Sequence, residues 1–258
     1  MKSLIRLALA LLLFWATQPF AQAQLTETDT LPVGYRFGLQ GNYLRGNVDR
    51  LLLMAQADLS LVGDHVAFRS ANTYQFGTFG PVRTENDLLA RQFLYAIPDQ
   101  KAYPYVMIWL ESNQRRQMAW RYQVGPGVTL RLLDKKDQQL KGSVTLTHEN
   151  AQFRSDTFSD TAYSGQNNMP LWRGTLRIAG HHLIGKGQVR LRYEGWFQPA
   201  FSDLQNWRLH NQAALQIKVW KQLSFQASLQ YNRESVVVEG VKNGDLMALF
   251  GISLGNMP

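Results

Sequence analysis

Cysteine is absent from all 258 residues. Its absence excludes disulfide staples, thiolate chemistry and a lipid-modified cysteine behind a leader. Long apolar runs are missing too: nothing reaches the roughly 20 residues a membrane-spanning helix needs. No charge run, proline-rich linker or low-complexity tract divides residues 24–258, which therefore read as one domain. A phosphate loop is also missing, because Gly125-Pro126-Gly127 is followed by neither a helix pattern nor a Lys-Ser/Thr pair. Inside a strand those three residues predict a bend or a bulge, with Pro126 placed where its missing donor costs nothing.

The N-terminus has the parts of a secretory signal peptide. Lys2 and Arg6 precede an apolar run over 7–15, and Ala21-Gln22-Ala23 forms a small-x-small site. Residues 1–23 are expected to be removed, leaving 24–258 as the working chain. Without Lys2 and Arg6 the formal charge falls from +8 to +6. A basic chain is a candidate for nucleic acid, but the pattern below puts most of this charge on one face of strands, so no nucleic-acid partner is expected.

From Trp120 onward apolar and polar residues alternate in segments of about ten, each ending at a turn. In 222–232, Leu223, Phe225, Ala227, Leu229 and Tyr231 share one face, and Ser224, Gln226, Ser228, Gln230 and Asn232 the other. A period of two marks a strand between an apolar and a polar medium. Behind an export signal, this predicts an all-β transmembrane antiparallel β-barrel of about twelve strands in a bacterial outer membrane. Its expected partners are outer-membrane lipid and, during biogenesis, the barrel-assembly machinery.

The predicted strands cover 34–46, 48–61, 65–76, 86–96, 102–112 and 118–133, then 139–152, 170–182, 188–197, 204–220, 223–233 and 244–254. The even connections (63–64, 98–101, 134–137, 184–186, 221–222) are short. The odd ones include the longer segments 77–85, 151–169, 198–203 and 234–243. Short periplasmic turns and long outer loops are the expected asymmetry. The third to fifth strands alternate poorly, which leaves their facing open. Aromatics at strand ends, among them Tyr43, Trp120, Trp172 and Trp220, suit interfacial girdles.

Several short motifs carry a family resemblance. They are Gly41-Asn42 through Gly46-Asn47, Asn72-Thr73-Tyr74-Gln75-Phe76-Gly77, and Arg121 followed by Gly125-Pro126-Gly127. Across most of 24–258 the chain resembles the salt-induced outer membrane protein family, domain of unknown function 481. The resemblance implies a single outer-membrane barrel and brings no catalytic residues with it. Many such barrels end on Phe, whereas here Phe250 is followed by Gly251 through Pro258.

Arginine dominates the predicted interior. Arg121, Arg131, Arg173, Arg177, Arg190, Arg192 and Arg208, with Lys141 and Lys218, share the non-lipid face of neighbouring strands. Two arrangements satisfy this pattern. Glu149 and Glu194, with Asp58 and Glu111, can pair with the cations and fill a narrow lumen, giving a structural or envelope-adaptation barrel. Alternatively the cations line a narrow channel that prefers small acidic solutes or oligosaccharides, because a planar guanidinium grips a carboxylate or sulfate through two parallel bonds.

An enzyme is not expected. None of the five histidines has a Ser two places on or an Asp two places before, which disfavours barrel lipases, deacylases and omptin-like proteases. His148-Glu149-Asn150 is the best remaining polar cluster, and it reads first as solvated rim residues leading into a long loop. His181-His182 falls on opposite faces of a strand, so one metal cannot readily use both. No metal and no cofactor are expected. The polar loop 151–169 is placed to fold over the mouth or to remain a mobile surface loop.

Overall fold

The computed structural model describes residues 32–255 apart from positions 47, 136 and 186; the expected signal peptide lies outside these residues. Twelve strands succeed one another: β1 (Val33–Leu44), β2 (Arg50–Val62), β3 (Val66–Phe79), β4 (Val82–Ala96), β5 (Ala102–Asn113), β6 (Met118–Lys135), β7 (Gln138–Phe153), β8 (Asn168–Ile184), β9 (Val189–Pro199), β10 (Trp207–Trp220), β11 (Leu223–Glu234) and β12 (Gly244–Gly255). Each pairs antiparallel with the next. β12 then returns to β1, from Arg36↔Gly255 to Gly41↔Phe250, and closes the barrel. Closure removes every free edge, so strand backbone groups find partners without water.

Alternation now becomes two surfaces. Val128, Leu130, Val144, Leu176, Ile178, Ile217, Phe225, Phe250 and Ile252 are exposed and belong to an apolar belt around the outside. Arg121, Gln123, Thr129, Thr145, Arg173 and Arg177, on the other parity, are buried in the lumen. An apolar surface this continuous suits lipid rather than water.

β3 and β4 alternate poorly because polar and apolar residues fall on both of their faces, and β5 because both of its faces are apolar. Val106, Ile108 and Leu110 of β5 point outward, while Tyr103, Tyr105, Met107 and Trp109 point inward. The inward set packs with Ala67, Phe93, Tyr95 and Trp196 into an aromatic wall inside the barrel. Trp109 meets Trp196 edge-on at 5.4 Å, and Phe93 stacks on Tyr95 at 5.9 Å. On β5, with no polar face, the period-two signal fades although the strand pairs continuously with β4.

One expected loop is corrected. The connection predicted over 77–85 is a tight turn at Gly80-Pro81, with Gly80 in the left-handed region (φ 56°). Thr78, Phe79 and Val82 are good strand formers and carry the hairpin outward past a bulge at Gly77/Thr78. The tenth strand likewise starts at Trp207, not 204.

Gly125-Pro126-Gly127 does not shift the register, since Val124 pairs with His148 and Gly127 with Thr145. The glycines make room instead. A Cβ on Gly125 would lie 1.8 Å from the Leu146 carbonyl oxygen, and one on Gly127 would lie 2.6 Å from the Tyr105 ring. Tyr105 uses this space to place its hydroxyl 2.5 Å from Thr145 Oγ1. Gly127→Val should therefore cost stability at the upper end of the roughly 1–3 kcal/mol typical of overpacking. Urea unfolding of the purified barrel, followed by the heat-dependent gel shift, checks this; an unchanged midpoint would contradict it.

Candidate functional site

The lumen is the candidate site, and its outer half is crossed by ion pairs. Glu149 on β7 accepts from Arg173 Nε at 3.1 Å and from Arg208, with Arg121 Nε 3.9 Å away. All four side chains are at most 7% exposed. Arg121 on β6 reaches across to Glu234 on β11 at 3.1 Å and also meets Glu111 at 3.4 Å. One layer down, Glu194 on β9 takes Arg177 at 2.7 Å and Arg91, from the nearly opposite β4, at 2.8 Å. Such pairs link facing walls across the lumen, because a charge withdrawn from water is tolerated best beside its counter-charge.

Above them the outer loops form a lid. The 154–167 loop, with a 3-10 turn at Thr161–Tyr163, crosses to the 235–243 loop. Phe158 bridges to Val238, Ser159 N–H donates to Val237 O at 2.8 Å, and Glu239 N–H donates to Thr157 O at 2.9 Å. Phe153, Phe158, Met118, Ala151, Val236 and Val238 make an apolar cluster under this crossing. Arg116, from the 114–117 turn, reaches Asp245 at 3.1 Å and Glu234 at 3.6 Å. Of the two options for the polar loop, the structure takes the folded one.

The expected lumen residues fall into three groups. Arg121, Arg173, Arg177 and Arg208 meet at Glu149 and Glu194 as described. Arg190 and Arg192 lie on the inward parity of β9, and Arg192 lines a chamber toward the short turns. Arg131 and Lys218 lie at the short-turn rim. Arg131 is held by Asp134 at 3.1 Å and by the Pro98 carbonyl, over the Tyr103 ring. Lys218 is a correction, since it is exposed rather than enclosed. β10 is irregular between Lys218 and Trp220, and the flexible stem carries the ammonium out to water.

Sequence reasoning missed Arg36, Arg69, Arg91, Arg115 and Arg116. Arg36 was within reach, because Arg36, Gly38 and Gln40 share the inward parity of β1. Arg69 and Arg91 sit on strands with polar and apolar residues on both faces, which hid the facing, and Arg115 and Arg116 lie in a turn where parity has no meaning. Glutamines were also missed. Gln216 donates to Gln226 at 2.9 Å, Gln226 to Gln40 at 3.2 Å, and Gln40 to Ser228 at 2.9 Å, which ties β10, β11 and β1 together inside the barrel.

The His148-Glu149 pair is split by the wall. His148 faces outward between the Tyr122 and Trp172 rings, while Glu149 faces the lumen. His182 likewise turns out toward Tyr193 and His181 turns in opposite Arg192. No group of three His, Asp or Glu placed to hold a metal occurs among the described residues.

Fold and lumen together define a small transmembrane β-barrel whose lumen is crossed by ion pairs. The chain belongs to the family described as protein of unknown function, DUF481, whose profile matches residues 36–255. No curated protein matches it. Among solved structures it is similar to the NanC porin, at 12% identity over 86% of this chain and 97% of that one, with a TM-score of 0.48. It is also similar to the translocator domain of the autotransporter NalP from Neisseria meningitidis (9% identity, 86% of each chain, TM-score 0.44). The anion-selective porin from Comamonas acidovorans matches at 9% identity over 86% of this chain and 98% of that one, with a TM-score of 0.39.

Proposed function

We propose that this chain is an outer-membrane barrel that is shut, serving the envelope as a structural or adaptation protein rather than as an open pore. In this reading residues 1–23 direct export, the assembly machinery inserts the barrel, and lipid is its permanent partner. The observation that carries it is the pair of cross-lumen links, Arg91–Glu194 and Arg121–Glu234, beneath a loop lid. No catalytic role enters it.

The test is single-channel recording of the chain purified from membranes, in planar bilayers under a salt gradient. Silence is expected, with the barrel shown intact by its heat-dependent gel shift. Steady conductance steps would overturn the closed reading. If those steps were anion-selective they would favour the second reading, a narrow channel for small acidic solutes, which draws on the excess of cations in the lower lumen.

A further inference from the structure

The two halves of the lumen are not electrically alike. In the outer half Arg115, Arg116, Arg121, Arg173 and Arg208 meet Glu85, Asp87, Glu111, Glu149, Glu234 and Asp245. The chamber below, toward the short turns, is lined by Arg36, Arg69, Arg91, Lys141, Arg177 and Arg192, with only Asp58 and Glu194 as carboxylates. Those two acids are already engaged, Asp58 by Arg36 and Glu194 by Arg91 and Arg177. Arg69 and Arg192 make no side-chain hydrogen bond or ion pair among the described residues, and both face the chamber.

These two groups come from different walls. Arg192 on β9 lies beside His181 on β8, while Arg69 stands on β3, one pair of residues along from the Arg36–Asp58 rung. Arg69 is nevertheless close enough to be attracted by Tyr95, Glu194 and Asp58 and repelled by Arg177 across the space. Glutamines complete the lining: Gln56 and Gln212 add amide donors, while the amides of Gln139 and Gln226 already donate to Asp134 and to Gln40 and Gln56. Convergent guanidinium groups and amides, with their local carboxylates already used, make a socket for negative charge.

We propose that this chamber is a binding site for a small multivalent oxyanion, of the phosphate or polycarboxylate class, gripped between Arg69 and Arg192. A multivalent ion fits better than chloride, because it can accept from both guanidinium forks at once and offset more of the surplus charge. The Arg91–Glu194 link and the paired layer above bound the chamber on its outer side, and its being a pocket rather than a stretch of a through-path rests on the closed reading given above.

The experiment is isothermal titration of the membrane-purified barrel with inorganic phosphate at low ionic strength, followed by competition with sulfate, citrate and chloride. One saturable site is expected, displaced by sulfate or citrate and not by equal chloride. Arg69→Gln with Arg192→Gln should weaken it at least tenfold, and the exposed rim variant Arg83→Gln should leave it unchanged. Phosphate should also raise the unfolding temperature of the wild type and not of the double variant, because a ligand that binds only the folded state stabilises it. The double variant relieves like-charge repulsion, so its barrel should fold at least as well as the wild type without phosphate. Absence of a saturable site, or equal affinity in the double variant, would overturn the proposal. Bilayer recordings separate the two readings: phosphate binding with conductance steps keeps the site and ends the closed lumen, whereas silence without binding does the reverse.

Discussion

Glu149→Gln should be among the most damaging single substitutions in the barrel. One carboxylate serves Arg121, Arg173 and Arg208, and all four side chains are nearly inaccessible. Glutamine keeps the shape and one acceptor but removes the charge, leaving three guanidinium groups facing one another. Arg121 keeps Glu234 and Glu111, and Arg173 keeps the carbonyls of Gln198 and Asn206. Arg208 has no other ion pair among the described residues. Removing one partner from a buried ion pair costs on the order of 3–5 kcal/mol. Urea unfolding of the purified protein should show a loss of this size, and a shift below about 1 kcal/mol would mean that water already screens the cluster. Glu149→Gln combined with Arg208→Gln supplies the internal control. If the damage comes from stranded charge, the double variant should recover much of the loss, because neutralising both members of a buried pair costs far less than neutralising one. Equal loss in single and double variants would assign the effect to packing.

Phe158→Asp with Val238→Asp should unlatch the outer lid without undoing the barrel. Phe158 and Val238 are 3% and 2% exposed, and they join two loops that are otherwise tied by a few backbone bonds. Each apolar side chain returned to water forfeits roughly 1.5–3 kcal/mol, and two carboxylates cannot rest in the cluster with Met118, Phe153 and Val236. Local opening should become about a hundredfold or more commoner, as a change of roughly 3 kcal/mol implies. Trypsin added to whole cells reads this at Arg154, the first residue of the 154–167 loop. Cleavage should accelerate by a similar factor while the heat-dependent gel shift persists. The lid variant alone should still give silent bilayers, because the Arg121–Glu234 and Arg91–Glu194 links lie beneath it. Opening the lumen should require removal of both links as well, by adding Arg121→Ala with Glu234→Ala and Arg91→Ala with Glu194→Ala. Unchanged protection at Arg154 would mean that the lid is held elsewhere, at Arg116–Asp245 or at Tyr163–Asp203.

Parity and turn spacing were enough to read the strand set, the short-turn and long-loop ends, and the facing of strands with one polar side. β6 to β11 are the clear case: Arg121, Arg173, Arg177 and Arg208 could be assigned to the lumen from parity alone, because a strand's side chains alternate whatever surrounds them. That signal is local, needing only neighbours two apart. It failed where both faces are apolar, as at Tyr103, Tyr105 and Met107 of β5, and at turns, as at Arg115 and Arg116. It also misjudged 77–85, where three strand-forming residues carry the hairpin past the end of the alternation. Which charges meet depends on the closed barrel. Arg91 and Glu194 are 103 residues apart in the chain, and Arg121 and Glu234 are 113 apart. Their contact depends on how twelve tilted strands close and at what depth each side chain then lies. The same closure decides that the outer lumen balances its charges while the lower chamber holds a surplus, a division that no local pattern contains.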